Sequence, residues 1–270
     1  MRSRWGIAAA AAIMVAGLTS NASASIIGSS FFTGTGMNGT HNLSASVSFA
    51  VVGTDLKITL TNTSAYNFTT GNQMVPTDVL TALFFDVAPD QAFTQGTPFA
   101  VVGGTSSVVN GGSAPLGGWA GYDVTAPSPT LGGWRYSYDN DNNPLPQNQG
   151  LGTAGFAVFN GNEVNQGPGG PFNYGLIGSG YSPGEGNNAV DGTPFVQSSI
   201  VFTLSGLVGN ISIANLRFQY GTALDEPFFT PIVIPGGGDT AVPEPTSLAL
   251  AGFAGLGLVF SRLRKRRQAA

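Results

Sequence analysis

The chain has 270 residues, with 40 Gly, 17 Pro, no Cys, one His and only 9% charged residues, which excludes a disulfide scaffold, a thiolate metal site and a cysteine nucleophile. Gly and Pro make up about a fifth of it, loop-rich but short of the roughly 25–30% that marks low-complexity disorder, so the chain should fold as one or two domains. Charge is segregated: residues 25–241 hold three basic residues, Lys57, Arg135 and Arg217, against thirteen acidic ones, a net charge of −10 that repels phosphate backbones and excludes nucleic acid as a partner.

In chain order the first predicted element is an export signal. Arg2 and Arg4 precede an uncharged apolar run from Ile7 to Leu18, and Ala22-Ser23-Ala24 follows, with Ala22 and Ala24 as the small residues of a cleavage site. The run is shorter than the roughly 20 residues that a membrane span needs. Residues 1–24 therefore read as a signal peptide for Sec-type export, with the mature chain starting near Ser25.

Residues 25–234 read as strands. Leu43, Ala45, Val47, Phe49 and Val51 alternate with polar Ser44, Ser46 and Ser48; Leu56, Ile58 and Leu60 alternate with Lys57, Thr59 and Thr61. With Gly53-Thr54-Asp55 between them as the turn, these two runs predict a β-hairpin. Further strands are predicted over Val79 to Val87, Phe99 to Val102, Trp134 to Tyr138, Gly155 to Phe159, Ser199 to Leu204 and Leu216 to Tyr220. No part of this region holds a 3.6-residue period over three turns. The expected fold is all-β, an antiparallel β-sandwich or jelly-roll-like domain, with long Gly/Asn-rich loops between Gly103 and Gly192.

Few residues in this domain suit chemistry. His41 is the only imidazole and lies in a Gly- and Asn-rich segment, where it reads as a solvated loop residue. Asp225-Glu226 and Asp139 with Asp141 are carboxylate pairs on polar segments, with no nucleophile and base beside them, so the chain reads as a non-enzyme with no catalytic residue. Asp139-Asn-Asp-Asn-Asn143 begins like a calcium loop, but the sixth position is Pro144 rather than Gly and the twelfth is Gly150 rather than Glu, which excludes an EF-hand. A weak calcium site at Asp139 and Asp141 and a plain Asx-rich turn both fit the segment, and no other cofactor is implied. Gly117-Gly-Trp-Ala-Gly-Tyr-Asp123 and Gly132-Gly-Trp-Arg-Tyr-Ser-Tyr-Asp139 look like two versions of one unit. Trp119, Tyr122, Trp134, Tyr136 and Tyr138 would form a stacking platform for sugar rings if exposed, and would cover the sheet core if buried.

The C-terminal region carries the most specific signal. A Gly-rich linker, residues 235–242, leads into Val242-Pro243-Glu244-Pro245, which refuses helix because proline fixes φ and lacks the N–H donor. From Thr246 to Phe260 the chain is uncharged and apolar, and Arg262, Arg264, Lys265, Arg266 and Arg267 end it as a cytoplasmic basic stop. At 1.5 Å per residue this run reaches about 22 Å against a core of about 30 Å, so a membrane helix over 246–261 needs the flanking basic stems to snorkel.

The order Pro-Glu-Pro, short apolar helix, terminal basic cluster resembles the PEP-CTERM sorting signal of bacterial exosortase substrates, here over residues 243–267 with Val242 before it. The resemblance implies a Gram-negative envelope protein held transiently in the inner membrane. An exosortase would cleave it near Pro243-Glu244-Pro245 for transfer to the surface, in hosts that commonly make exopolysaccharide and biofilm. A plain C-terminal anchor with a periplasmic domain is the alternative. The body also resembles a subgroup of exosortase-dependent surface proteins, through Leu60-Thr-Asn-Thr-Ser64, Pro76-Thr-Asp-Val-Leu-Thr-Ala-Leu-Phe-Phe-Asp86, Val201-Phe-Thr-Leu-Ser-Gly206 and Phe218-Gln-Tyr-Gly-Thr-Ala-Leu224. That resemblance brings no catalytic residue with it. The function expected is a non-enzymatic surface or matrix protein of structural or adhesive role, with a carbohydrate-binding module as the alternative and an envelope hydrolase as a third reading.

Overall fold

The computed structural model describes residues 24–26, 29–39, 41–65, 73–110, 121–125, 133–138, 145–156, 173–181, 186–187, 189–190 and 193–233. Among these residues the chain forms fifteen strands, no α-helix and one short 3₁₀ turn, Pro76–Asp78. The strands are β1 (Ala24–Ile26), β2 (Ser29–Asn38), β3 (His41–Val52), β4 (Asp55–Asn62), β5 (Leu80–Ala88), β6 (Thr94–Val102), β7 (Ser107–Asn110) and β8 (Arg135–Tyr138). They continue with β9 (Gln149–Gly152), β10 (Leu176–Ile177), β11 (Pro194–Gln197), β12 (Ser199–Ser205), β13 (Ile211–Tyr220), β14 (Phe228–Phe229) and β15 (Ile232–Val233).

A six-stranded antiparallel sheet runs β15-β2-β3-β4-β12-β6. Its register follows from the alternation in the sequence: Phe32, Val47, Leu60, Ile200 and Val102 stand in one row, and Ser30, Phe49, Ile58, Phe202 and Ala100 in the next. The large side chains of both rows are buried, while the opposite face carries rows such as Thr33, Ser46, Thr61 and Ser199. The β3–β4 hairpin has the predicted turn, with Gly53 at φ 64, a conformation that glycine adopts without a Cβ penalty.

The second sheet has nine strands along the path β1-β13-β5-β10-β11-β7, with β9 on β5, β8 on β9 and β14 on β13; only the β10–β11 pair is parallel. The two sheets share one core. Phe49 meets Phe85 edge-on at 5.2 Å, and Trp134 meets Phe202 at 5.0 Å. The second sheet is also covered on its other side: Ile177, Phe195 and Val109 pack with Met74, Val79 and Val190, and Phe84 packs with Phe156. Strands buried on both faces lose the clean alternation of a half-solvated sheet.

Three predicted strand boundaries differ from the structure. Gly155 and Phe156 lie outside any strand, with Phe156 in a turn at φ 49, and the strand of that region is β9, which no alternation marks; residues 157–159 lie outside the described residues. β6 begins at Thr94 rather than Phe99, and β13 at Ile211 rather than Leu216. β2 was also missed because Gly34 and Gly36 interrupt its apolar pattern. Both glycines make room for the ring of Phe229, which a Cβ would meet at 2.7 Å from Gly34 and 2.5 Å from Gly36.

Candidate functional site

The polar side chains of the motif-bearing segments are engaged in holding the fold. Asp78, fully buried at the end of the 3₁₀ turn, accepts three hydrogen bonds: Asn38 Nδ2 at 2.7 Å on Oδ1, and His41 Nδ1 at 2.7 Å with Val75 N at 2.9 Å on Oδ2. This corrects the expectation for His41. It is not a solvated loop residue but the first residue of β3, its side chain 10% exposed and paired with a buried carboxylate. The pair ties the β2–β3 turn to the segment that leads into β5.

Leu60-Thr-Asn-Thr-Ser64 works in the same way. Asn62, 1% exposed, donates to Leu176 O at 2.9 Å and accepts from Ser64 N at 3.0 Å, while Ser64 Oγ accepts from Ser44 N at 2.9 Å. Asn62 thus links the end of β4 to β10 across the two sheets. In Phe218-Gln-Tyr-Gly-Thr-Ala-Leu224 the fully buried Gln219 donates to Tyr220 O and Ala223 O, both at 2.9 Å, and accepts from Arg217 Nε at 3.0 Å. Glu226 closes that loop by accepting from Thr222 N and Ala223 N, and the Arg217 guanidinium lies 3.7 Å above the Phe228 ring. Asp225-Glu226 is therefore a loop clasp in which Glu226 serves backbone donors.

Of the predicted platform, the four described residues, Tyr122, Trp134, Tyr136 and Tyr138, do not form one exposed surface. Trp134 is fully buried, and its Nε1 donates to Tyr174 O at 2.8 Å, so it is a core residue and offers no face to a ligand. Tyr136 Oη donates to Gln149 Oε1 at 2.6 Å and accepts from Phe93 N at 3.1 Å, and burial pushes its phenol well above the ordinary tyrosine value. Tyr138 Oη donates to Asp90 Oδ2 at 3.0 Å, at the other end of β8. Tyr122 is 38% exposed and lies beside Tyr174, with centroids 6.3 Å apart and planes at 44°. Tyr174 was not singled out from the sequence. Its positive φ of 64 depends on contacts from distant segments, which no local pattern announces.

Trp119, Asp139 and Asp141 lie outside the described residues. Asp139 and Asp141 belong to the connection of the β8–β9 hairpin, whose last described pair is Tyr138 with Gln149. Beside that pair, Asn148 Nδ2 donates to Asp90 Oδ1 at 2.7 Å and Asn148 N to Asp86 Oδ1 at 2.9 Å. Among the described residues no group of three or more His, Asp or Glu side chains is placed to hold a metal ion.

Of the predicted signal peptide, residues 1–23 with Ala22 lie outside the described residues, whereas Ala24 pairs with Ile213 in β1. The linker 235–242, Val242, Pro243, Glu244, Pro245, the predicted helix 246–261 and the basic residues Arg262, Arg264, Lys265, Arg266 and Arg267 also lie outside them.

Residues 241–266 match the family model of the PEP-CTERM protein-sorting motif. The chain matches no curated protein and no solved structure. The motif makes an exosortase the processing partner and implies export to the cell envelope or surface. It coincides with the tail singled out by its Pro-Glu-Pro, apolar run and basic stop.

Proposed function

We propose that the chain is an exported, non-enzymatic protein of the cell surface or extracellular matrix of a Gram-negative bacterium. It leaves the cytoplasm by a Sec-type route, waits in the inner membrane on its C-terminal helix, and loses that helix to an exosortase. Its β-sandwich domain then does structural or adhesive work, associated with exopolysaccharide or biofilm. The observation that carries this reading is the sorting motif at residues 241–266, because an address read by a membrane enzyme is informative only on a protein that reaches that enzyme. The inner part of the chain supports it. Asp78, Asn62, Gln219 and Glu226, the polar residues of the motif-bearing segments, serve as latches between strands and loops rather than converging on a reacting centre.

The test replaces Pro243, Glu244 and Pro245 together with Ala in the native host and follows the protein by fractionation. The reading requires the variant to accumulate uncleaved in the inner membrane while the wild type leaves it. Equal distribution of the two, with the tail retained in both, would make the tail a plain anchor and the domain periplasmic.

A further inference from the structure

We propose that one end of the β-sandwich, the tip formed by the β3–β4 turn and the loop carrying Val208, is a lipid-contact surface. It rests on zwitterionic phospholipid while the C-terminal helix still tethers the domain, and it relies on the reading of that helix as a membrane anchor. Strand pairing brings the parts of the tip together. Ser29 pairs with Ala50 and Val52 with Asp55, so β2 begins where β3 ends and β4 starts, and Ser205 pairs with both Asp55 and Thr94. Val52 is 58% exposed and Val208 74%, and Phe31, also exposed, lies near the start of β2. β15 runs antiparallel to β2, with Ile232 opposite Thr33 and Val233 opposite Phe32, so the chain leaves the domain toward this same end. Thr246, where the apolar run of the tail starts, follows Val233 by 13 positions, and a flexible linker of that length spans about 20 Å. The tether keeps this end toward the bilayer and makes contact with it intramolecular, at an effective concentration on the order of mM. Two valines and part of a ring would not hold an untethered domain, so the contact ends when the tail is cut.

The hydrogen bonding of the tip suits an interface poor in water. Val208 N donates to Gln91 Oε1 at 2.9 Å and its carbonyl accepts from Gln91 Nε2 at 3.4 Å, while Gly206 N and Leu207 N donate to Thr54 O at 3.1 and 2.9 Å. Val208, the most exposed large apolar side chain among the described residues, therefore stands on backbone whose polar groups are already paired, as entry into lipid requires. Leu207 beside it is buried and fastens the loop to the core. The carboxylates near the tip have partners: Asp55 lies 3.8 Å from Lys57 Nζ, and Asp90 accepts from Asn148 and Tyr138. The net charge of −10 over residues 25–241 disfavours an anionic surface, which commits the proposal to zwitterionic lipid.

The test uses the full chain reconstituted in phosphatidylcholine vesicles. Because the chain has no Cys, Val52→Cys, Thr94→Cys, Val208→Cys and Met37→Cys variants each carry a nitrobenzoxadiazole dye on a single thiol. Met37 is the control, exposed at the other end of β2 beside the β2–β3 turn. Flotation first shows whether the tail holds the protein on the vesicles. With doxyl-labelled phosphatidylcholine, the dyes at positions 52, 94 and 208 should lose fluorescence and the dye at position 37 should not. Changing Val52 and Val208 together to Asp should abolish the loss at position 94. Floating protein whose dyes at positions 52 and 208 keep their fluorescence, an equal loss at position 37, or a loss at position 94 that survives both Asp changes would overturn the proposal. So would a loss at position 208 that grows with protein density in lipid without doxyl groups, which would make the tip an interface between copies. Protein that does not float would overturn the anchor reading and this proposal with it, whereas floating protein without quenching overturns this proposal alone.

Discussion

Replacing Asp78 with Ala removes the acceptor for three donors at once, Asn38 Nδ2, His41 Nδ1 and Val75 N, all within 2.9 Å of a carboxylate that no solvent reaches. A hydrogen bond to a charged group contributes about 1.5–3 kcal/mol and a neutral one about 0.5–1.5. Because the three share one carboxylate their sum is not additive; each buried donor left without an acceptor costs about 1–3 kcal/mol, which puts the total at about 3–5 kcal/mol. That is a large part of a margin of about 5–15 kcal/mol. Asp78→Asn keeps one acceptor oxygen but turns an NH2 toward the same donors, and should lose about 2–3 kcal/mol. His41→Ala leaves the carboxylate with Asn38 and Val75 and should lose less than Asp78→Ala. The assay is urea unfolding of the full chain followed by circular dichroism, with the slope against urea checked for constancy so that midpoint shifts report stability. A loss below about 1 kcal/mol for Asp78→Ala, or an Asp78→Asn variant as stable as the wild type, would refute the latch.

Gly36→Ala should destabilise by about 1–3 kcal/mol, because its Cβ would stand 2.5 Å from the Phe229 ring; the added Phe229→Leu change should recover part of the loss, and a destabilisation unchanged by it would contradict the packing account. Burial, with Tyr122 beside it, pushes the Tyr174 phenol from 10.0 up to about 12. The fold therefore favours the neutral phenol, and this contribution is fully present below about pH 10 and is lost as pH rises toward 12. Urea midpoints between pH 9 and about 11.5 should fall more steeply for the wild type than for Tyr174→Gly, and equal slopes would remove Tyr174 from the account.

The strands most legible in the sequence were those with one dry and one wet face. β3, β4 and β12 alternate cleanly because serine, threonine and Lys57 point outward, and Gly53 announces the turn between the first two. β7, β10 and β11 are short and buried on both sides, so no alternation marked them. β2 and β9 carry glycines on one face, where a Cβ-free surface receives Phe229 in one case and lies beside Phe84 and Ala82 in the other. Trp134 opens a predicted strand, but the sequence leaves its ring either on the surface or over the core, because its burial depends on Phe202, far along the chain. His41 reads as a loop residue for a related reason: its partner Asp78 lies 37 residues further on, in the turn that leads into β5. The sorting tail is legible because its three parts are contiguous and act by composition and order, whereas the contact of Tyr122 with Tyr174 exists only once two sheets have met.

The most direct test of the central claim is the intact mass of the protein recovered from the outer surface or medium of its host, with and without the exosortase gene. Exosortase sorting predicts a species lacking residues 1–24 and everything after about Pro243, found in the parent strain and lost in the deletion strain. A species that keeps Thr246 to Arg267 in both strains, located in the inner membrane, would contradict it.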